Sequence, residues 1–240
     1  RLPKIDLRIE QPIQNLDEEF EAIRYLKADV LIVDHYGAYQ EWERRMRPLC
    51  KKLVAVDDLN RPHEVDAIID QNYYNQTPSE YAKAKTSIGT KLFVGPEYAL
   101  LHPKFVKTGR TRKFFNEDLN LIMFFGGSDL HLVTYRMLPI IDQIQEKINW
   151  HIIVGKQNQK REEIEDFCGE RDNVNFHFNI DYMQELMEQC DLFIGSGGTI
   201  SWERAFYGVP AIVLSVAHNQ EQLCKELHQQ GAIHYLGDQS

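Results

Sequence analysis

One stretch constrains this chain more than any other: residues 192–220, LFIGSGGTISWERAFYGVPAIVLSVAHNQ. The apolar run Leu192, Phe193, Ile194 enters a Gly-Ser-Gly-Gly turn, Gly195 to Gly198, and a helix-like segment carrying Glu203 follows. Gly208 and Pro210 stop that segment, Ala211 to Leu214 form a second apolar run, and Asn219-Gln220 close the unit. The order reads as strand, Gly-rich loop, helix, strand, polar loop. Backbone N–H groups freed at such a helix start attract phosphate, and glycine lets the phosphate come close. A carboxylate one turn into the helix can accept two hydrogen bonds from a ribose diol. The alternative is a tight strand-to-helix turn that holds no ligand.

The same alternation runs through the whole chain. Residues 17–28 are expected as a helix with Phe20, Ile23 and Leu26 on one face. Strands are expected at 29–34, 52–57, 67–70 and 91–94, the last ended by Gly95-Pro96. Helical pattern returns from about Glu41. A second series begins at Asn120 to Phe125 and continues through His151 to Val154, Val174 to Phe178, Leu192 to Ile194 and Ala211 to Leu214. The polar residues 107–118 break the pattern and mark a junction. The chain has 240 residues, room for two domains, placed at 1–112 and 113–240. The expected fold class is α/β, two Rossmann-like doubly wound domains facing a cleft at the carboxyl ends of their strands.

Charge and composition exclude several classes. Asp and Glu outnumber Lys and Arg by 36 to 27, a net charge of −9, so no nucleic acid partner is expected. No run approaches the roughly 18 apolar residues of a membrane span. Cys50, Cys168, Cys190 and Cys224 are widely spaced without a Cys-x-x-Cys, which argues against zinc or disulfides and for free thiols in a reducing cytoplasm. The chain opens with Arg1 and not Met, which leaves room for residues upstream.

Other motifs sit at strand ends, each with a plainer alternative. In Asp34-His35-Tyr36-Gly37, histidine can shuttle a proton and Tyr36 can orient a water or an acceptor. Equally, Asp34 caps the next helix. Asp57-Asp58 point to opposite faces, so one is expected to face the cleft and the other to cap or to pair with Arg61. No Asp-x-Asp follows a strand, and no metal is expected. Gly126-Gly127-Ser128-Asp129 is a second phosphate-type turn, or a plain turn with Ser128 or Asp129 as helix cap. Two Gly-Gly turns after strands of one domain favour a shared diphosphate site. The loop Phe178-Asn179-Ile180 offers backbone groups for a base edge and an apolar side chain beneath the ring, or simply connects. The basic run Arg44, Arg45, Arg47, Lys51, Lys52 reads as a solvated surface.

Taken together, the strings SGGTISWERAFYGVP and NQ resemble the nucleotide-sugar half of GT-B-fold proteins. Joined to VDHYG (33–37) with Trp42-Glu43, VDDLNRPHEVDAIIDQN (56–72), VGPEYALLHPKF (94–105) and FGGSD (125–129), they are similar to a more specific family. That family comprises the UDP-sugar hydrolases of the pseudaminic acid pathway and the related spore coat polysaccharide biosynthesis proteins. The resemblance covers about residues 29–236. It implies a GT-B fold and metal-free, cofactor-free hydrolysis of a UDP-linked diacetamido-trideoxy sugar, with water attacking the anomeric carbon. It implies a bacterial, cytoplasmic role in nonulosonic acid or surface polysaccharide synthesis. Carried over by motif, Gly126, Gly127, Ser128, Gly197, Gly198 and Thr199 face the diphosphate. Ile180 faces the uracil, Glu203 the ribose, and Asn219 and Gln220 the sugar. Tyr36, with His35 and Asp34, lines the reacting face.

The chain departs from that family at its opening. The family begins with a strand and a Gly-x-Gly-His loop whose histidine is the proposed base, whereas this chain opens RLPKIDLRIEQP. The first strands of the N-terminal domain are therefore expected to be absent, and the ending after Gly237 falls early. Ile200 stands where a hydroxyl residue is common. A glycosyltransferase using the same UDP-sugar, and a binding module without turnover, are the rival readings.

Overall fold

Every strand pair in the structure is parallel, so the chain must cross back over the sheet after each strand. The structure is a computed structural model, and it describes residues 16–25, 28–76, 78–108, 119–144 and 146–239. The opening segment and residues 109–118, where the junction is expected, lie outside the described residues. The chain divides into two compact units, residues 1–99 and 100–240.

The first unit contains helix α1 (Leu16–Ile23), strand β1 (Ala28–Val33), helix α2 (Gln40–Met46) and strand β2 (Cys50–Val56). Strand β3 (Ala67–Asp70), helix α3 (Pro78–Lys85) and strand β4 (Lys91–Val94) follow. The sheet order is β1-β2-β3-β4. The expected first helix is shorter than its periodicity suggests, because Ala28 already belongs to β1. Val33, Trp42, Met46, Leu53, Ala55, Ile68 and Tyr81 form the core.

The crossing from β2 to β3 has no helix. Residues 57–66 cross as a loop, and its backbone groups are satisfied by neighbours instead of by a helical ladder. Leu59 N donates to Asp57 Oδ2 at 3.0 Å and Glu64 N donates to Glu43 Oε2 at 2.6 Å. His63 N donates to the Lys85 carbonyl at 2.7 Å. Leu53 N donates to Asp66 Oδ2 at 2.9 Å, and Asp66 N returns a bond to the Leu53 carbonyl at 2.9 Å. The basic run on α2 and β2 is a paired surface: Arg44 meets Glu64, Arg45 meets Asp17, Lys51 meets Asp29, and Arg47 and Lys52 share Asp66. Such exposed pairs are screened by solvent and contribute little to stability.

The second unit contains helix α4 (Pro103–Thr108), strand β5 (Leu119–Phe124), helix α5 (Val133–Ile141), strand β6 (Ile148–Val154) and helix α6 (Arg161–Gly169). Strand β7 (Val174–Phe178), helix α7 (Met183–Gln189), strand β8 (Leu192–Ser196) and helix α8 (Ile200–Tyr207) follow. Strand β9 (Ala211–Ser215), helix α9 (His218–Gln229) and strand β10 (His234–Asp238) complete it. The sheet order is β10-β9-β8-β5-β6-β7. Alternate strand positions bury opposite faces. Leu121, Met123, Trp150, Ile152 and Ile194 pack with Val133, Leu138 and Ile141 of α5 and Ile164 and Cys168 of α6. Ile122 and Phe193, of the other parity, are fully buried on the far side. Strand β10 escapes the sequence reading because HYLGD, an edge strand, holds only two apolar residues, Tyr235 and Leu236, side by side. No helix among the described residues is long and apolar enough to cross a membrane.

At the end of β3, Asp70 is fully buried. It accepts bonds from Asn72 N at 3.0 Å and from the hydroxyls of Tyr74 and Tyr81 at 2.9 Å each. Burial dominates and pushes its carboxyl up to about 6. A carboxyl raised in the folded state lends stability that is present below its ordinary value and is lost as pH rises through the folded one. Over about two pKa units at about 1.4 kcal/mol each, that is about 3 kcal/mol. The stability difference between the parent and Asp70→Asn, measured by urea melts, is expected to shift against the parent by up to that amount as pH is raised from 4 past 6; a pH-independent difference would remove this role.

Candidate functional site

Counted from the β7 edge, the second sheet runs third, second, first, fourth, fifth, sixth in chain order, the doubly wound dinucleotide-binding arrangement. Its topological switch point lies between β5 and β8. In such sheets ligands bind at the carboxyl ends of the strands flanking that point. Phe124 of β5 is in register with Gly195 of β8. Adjacent strands are about 4.8 Å apart, so the Gly126-Gly127-Ser128 and Gly197-Gly198-Thr199 turns emerge side by side.

The two turns are built differently. At the first, Gly126 takes φ 101°, a backbone conformation that favours glycine. Asp129, 4 % exposed, folds back on its own helix. Its Oδ1 accepts from Val133 N at 2.9 Å, and its Oδ2 accepts from Thr134 N at 3.0 Å and Asn158 Nδ2 at 3.1 Å. The first turn of α5 is therefore capped by an internal carboxylate, the plainer of the two readings of this motif. The turn's own backbone remains as a candidate for ligand contact. Gly155, which the sequence reading passed over, fixes its position: a Cβ there would lie 2.0 Å from the Gly127 carbonyl oxygen. Val154-Gly155 at a strand end is the signal that could have found it.

At the second turn no side chain among the described residues caps α8. Its amide end is free of the internal anion that occupies α5. Glu203 lies one turn in, half-buried, with no hydrogen bond or ion pair among the described residues. Burial raises its carboxyl above the usual glutamate range. Asn219 and Gln220, expected in a polar loop, belong instead to the first turn of α9. The apolar stripe Leu223, Cys224, Leu227 docks that helix on the sheet. Gln220 Oε1 accepts from Val216 N at 3.1 Å, and its Nε2 is 3.4 Å from where a Cβ on Gly198 would stand. The Gly198 turn and the Asn219-Gln220 pair are thus neighbours, although twenty residues separate them in sequence.

Ile180 is half-buried beyond β7, the strand two places out from β5, about 10 Å along the sheet. Asn179 before it takes φ 47° and donates its N–H to the Val154 carbonyl at 2.9 Å. Behind this loop, His151 Nδ1 and His177 Nε2 are 2.9 Å apart, and His177 Nδ1 is 3.1 Å from the Tyr182 hydroxyl. Burial, with the neighbouring His151, pulls His177 down to about 4, so at neutral pH the pair is uncharged.

In the first unit, Asp34, His35 and Tyr36 follow β1 directly. His35 Nδ1 accepts from Gly37 N at 2.9 Å, which leaves Nε2 as the proton-bearing nitrogen of the neutral ring. Tyr36, 58 % exposed, donates its hydroxyl to Asp58 Oδ2 at 3.3 Å. Burial and the Asp58 charge raise the phenol above its usual value. Asp34 is exposed and caps no helix; Tyr39 stands at the N-cap of α2 without a side-chain bond. Of the adjacent pair, Asp57 binds Arg61, one of the two expected partnerships, while Asp58 meets Tyr36.

Gly197 carries a second constraint. A Cβ there would stand 2.1 Å from Sγ of Cys224, which is fully buried and cannot swing away. Gly197→Ala is expected to cost about 1–3 kcal/mol in urea unfolding. Cys224→Ala in the same chain should recover part of that loss, and purely additive effects would show that packing is not what requires glycine here.

Residues 121–240 match the model of the Glycosyltransferase family 28 C-terminal domain. The chain is 30% identical over 204 residues to an uncharacterized protein of Methanocaldococcus jannaschii, covering 80% of this chain and 41% of that protein. It is 26% identical to the spore coat polysaccharide biosynthesis protein SpsG of Bacillus subtilis, over 90% of this chain and 64% of that protein. It is 22% identical to the UDP-2,4-diacetamido-2,4,6-trideoxy-beta-L-altropyranose hydrolase of Campylobacter jejuni, over 93% of this chain and 81% of that enzyme. The chain thus spans less than two thirds of the first two relatives. Among solved structures, MurG of Acinetobacter baumannii superposes with a TM-score of 0.58 at 17% identity, covering 92% of this chain and 64% of MurG, and the fold is GT-B-like. By the match over its second half, this chain belongs to the family of the Glycosyltransferase family 28 C-terminal domain.

Proposed function

We propose that this chain is the greater part of a UDP-sugar hydrolase that releases UDP by attack of water on the anomeric carbon, in surface polysaccharide or nonulosonic acid synthesis. One observation carries the reading: the switch point of the second sheet brings two Gly-Gly turns together beside a helix start that no described side chain caps, with the Glu203 carboxylate, without a partner among the described residues, one turn in. The name of the hydrolase relative supplies the UDP-sugar, and that of SpsG the polysaccharide setting.

In this reading the backbone of Gly126, Gly127 and Ser128, with Gly197, Gly198 and Thr199 at the start of α8, faces the diphosphate. Glu203 accepts from the ribose hydroxyls, the Ile180 loop reads the uracil, and Asn219 and Gln220 contact the sugar. Breaking the anomeric bond builds negative charge on the departing diphosphate, and preorganised N–H groups stabilise it as it forms. Each such donor contributes about 2–4 kcal/mol to the transition state. Tyr36, with His35 and Asp34, serves the water. The junction near residue 112, with domains at 1–112 and 113–240, belongs to the same proposal.

Transfer of the sugar to a hydroxyl acceptor is the second reading, favoured by the family 28 match. The same nucleotide site serves both, so fold does not separate them. UDP release from a panel of UDP-sugars, without acceptor and with chelator present, distinguishes the two: stoichiometric UDP and free sugar mean hydrolysis, and release only on adding acceptor means transfer. Glu203→Ala is expected to weaken UDP binding at least tenfold by calorimetric titration, about 1.4 kcal/mol. Unchanged affinity would take Glu203 out of the ribose role.

A further inference from the structure

Around the helix-free crossing from β2 to β3, a second cluster of ionisable groups is buried in the first unit. Glu43 is fully buried, His63 is 2 % exposed and Asp57 4 %. His63 Nδ1 is 2.6 Å from Glu43 Oε1, and its Nε2 is 3.5 Å from Asp57 Oδ2, an ion-pair separation without hydrogen-bond geometry. Asp57 Oδ1 accepts from Arg61 Nε at 2.9 Å and from Nη2 at 2.5 Å. Arg61 Nη1 then donates to the Tyr36 carbonyl at 2.5 Å, while the guanidinium lies 4.9 Å from the centre of the Tyr39 ring. The series joins α2, the β2 end and the crossing to the loop after β1.

With both carboxylates ionised, its charges balance in one way. Glu43 and Asp57 bring two negative charges, and Arg61 brings one positive charge. The count closes when His63 is an imidazolium, and an uncompensated charge at this depth is strongly disfavoured. The other ionisable groups around the cluster do not supply the missing cation. Asp58 and Asp70 are acidic, and Glu64 is already paired with Arg44. From α3, His63 meets the Lys85 backbone carbonyl.

We propose that His63 is a positioning residue for the Tyr36 loop: its imidazolium neutralises Glu43 and Asp57 together, so that Asp57 orients Arg61 and Arg61 holds the Tyr36 carbonyl. The functional meaning of this rests on the reading of Tyr36 given above. The linkage also makes the loop sensitive to pH. Burial pulls the imidazole down, but the bonds and charges of Asp57 and Glu43 outweigh it and hold His63 up at about 9. A histidine raised in this way lends stability that is fully present below its ordinary value and is lost as pH rises through the folded one. The loop should therefore hold through neutral pH and loosen near pH 9.

The test reads the Tyr36 carbonyl directly, in the full chain labelled with carbonyl-13C tyrosine and 15N glycine. Tyr-Gly pairs occur only at 36–37 and 207–208, so Tyr207 in the second unit is an internal control. Between pH 7 and 10 the Tyr36 carbon is expected to shift with a midpoint near 9 while the Tyr207 carbon stays. His63→Gln should abolish that transition with the Tyr207 signal unchanged. Glu43→Gln, which keeps the histidine and removes one carboxylate, should lower the midpoint by at least one pH unit. A flat Tyr36 signal in the parent, a transition that survives His63→Gln, or an unmoved midpoint in Glu43→Gln would overturn the proposal. The carbonyl titration needs no substrate. If the parent titrates as expected yet releases no UDP from any UDP-sugar, the positioning stands and only the catalytic reading of Tyr36 falls.

Discussion

Parallel pairing is the constraint on which the rest of this structure depends. When every strand runs the same way, every strand leaves its sheet at the same edge, and the loops that follow are gathered there. In the first unit that edge collects Asp34-His35-Tyr36, Asp57-Asp58 and Asp70. In the second it collects the two Gly-Gly turns, the Ile180 loop and the start of α9. Parallel strands buried on both faces have little room for polar side chains within the sheet, so the chemistry-bearing residues accumulate where the strands end.

The two units secure those edges by different physics. The first lacks a helix between β2 and β3, and buried charge replaces it. Glu43 and Asp57 accept from backbone N–H groups of the crossing that a helical ladder would otherwise serve, with His63 and Arg61 as their charged partners, and Asp70 gathers two tyrosine hydroxyls. The second relies on close approach. Gly155 lies on the Gly127 backbone, Gly195 on the Phe124 carbonyl, and Gly197 on Cys224. Each is a place where a Cβ has no room. A glycine in a nucleotide-type motif can thus be required by packing and still serve a phosphate, because both demands are for a backbone without a side chain. At α5 the competition has another outcome: Asp129 already occupies the helix start that an external anion would use.

The sequence alone determined much of this protein. Val-Ile-Leu runs bounded by Gly, Pro and Asp mark nine of the ten described strands, with β3, β4, β7 and β9 close to their observed bounds, because a short apolar run between turn residues leaves a local signature. The Gly-Gly turns and Glu203 were legible for the same reason: the residue types needed at a strand-to-helix turn are adjacent in the chain. Tertiary structure alone decided what depends on distant partners. The order of strands, and hence the meeting of Gly126 with Gly197 at one switch point, follows from which sheet edges pair, and local pattern does not encode that. Gly155, the helical setting of Asn219 and Gln220, and the His63 cluster likewise depend on contacts between residues about four to thirty positions apart. Short-range periodicity reports which face of an element is buried, but not what lies against it.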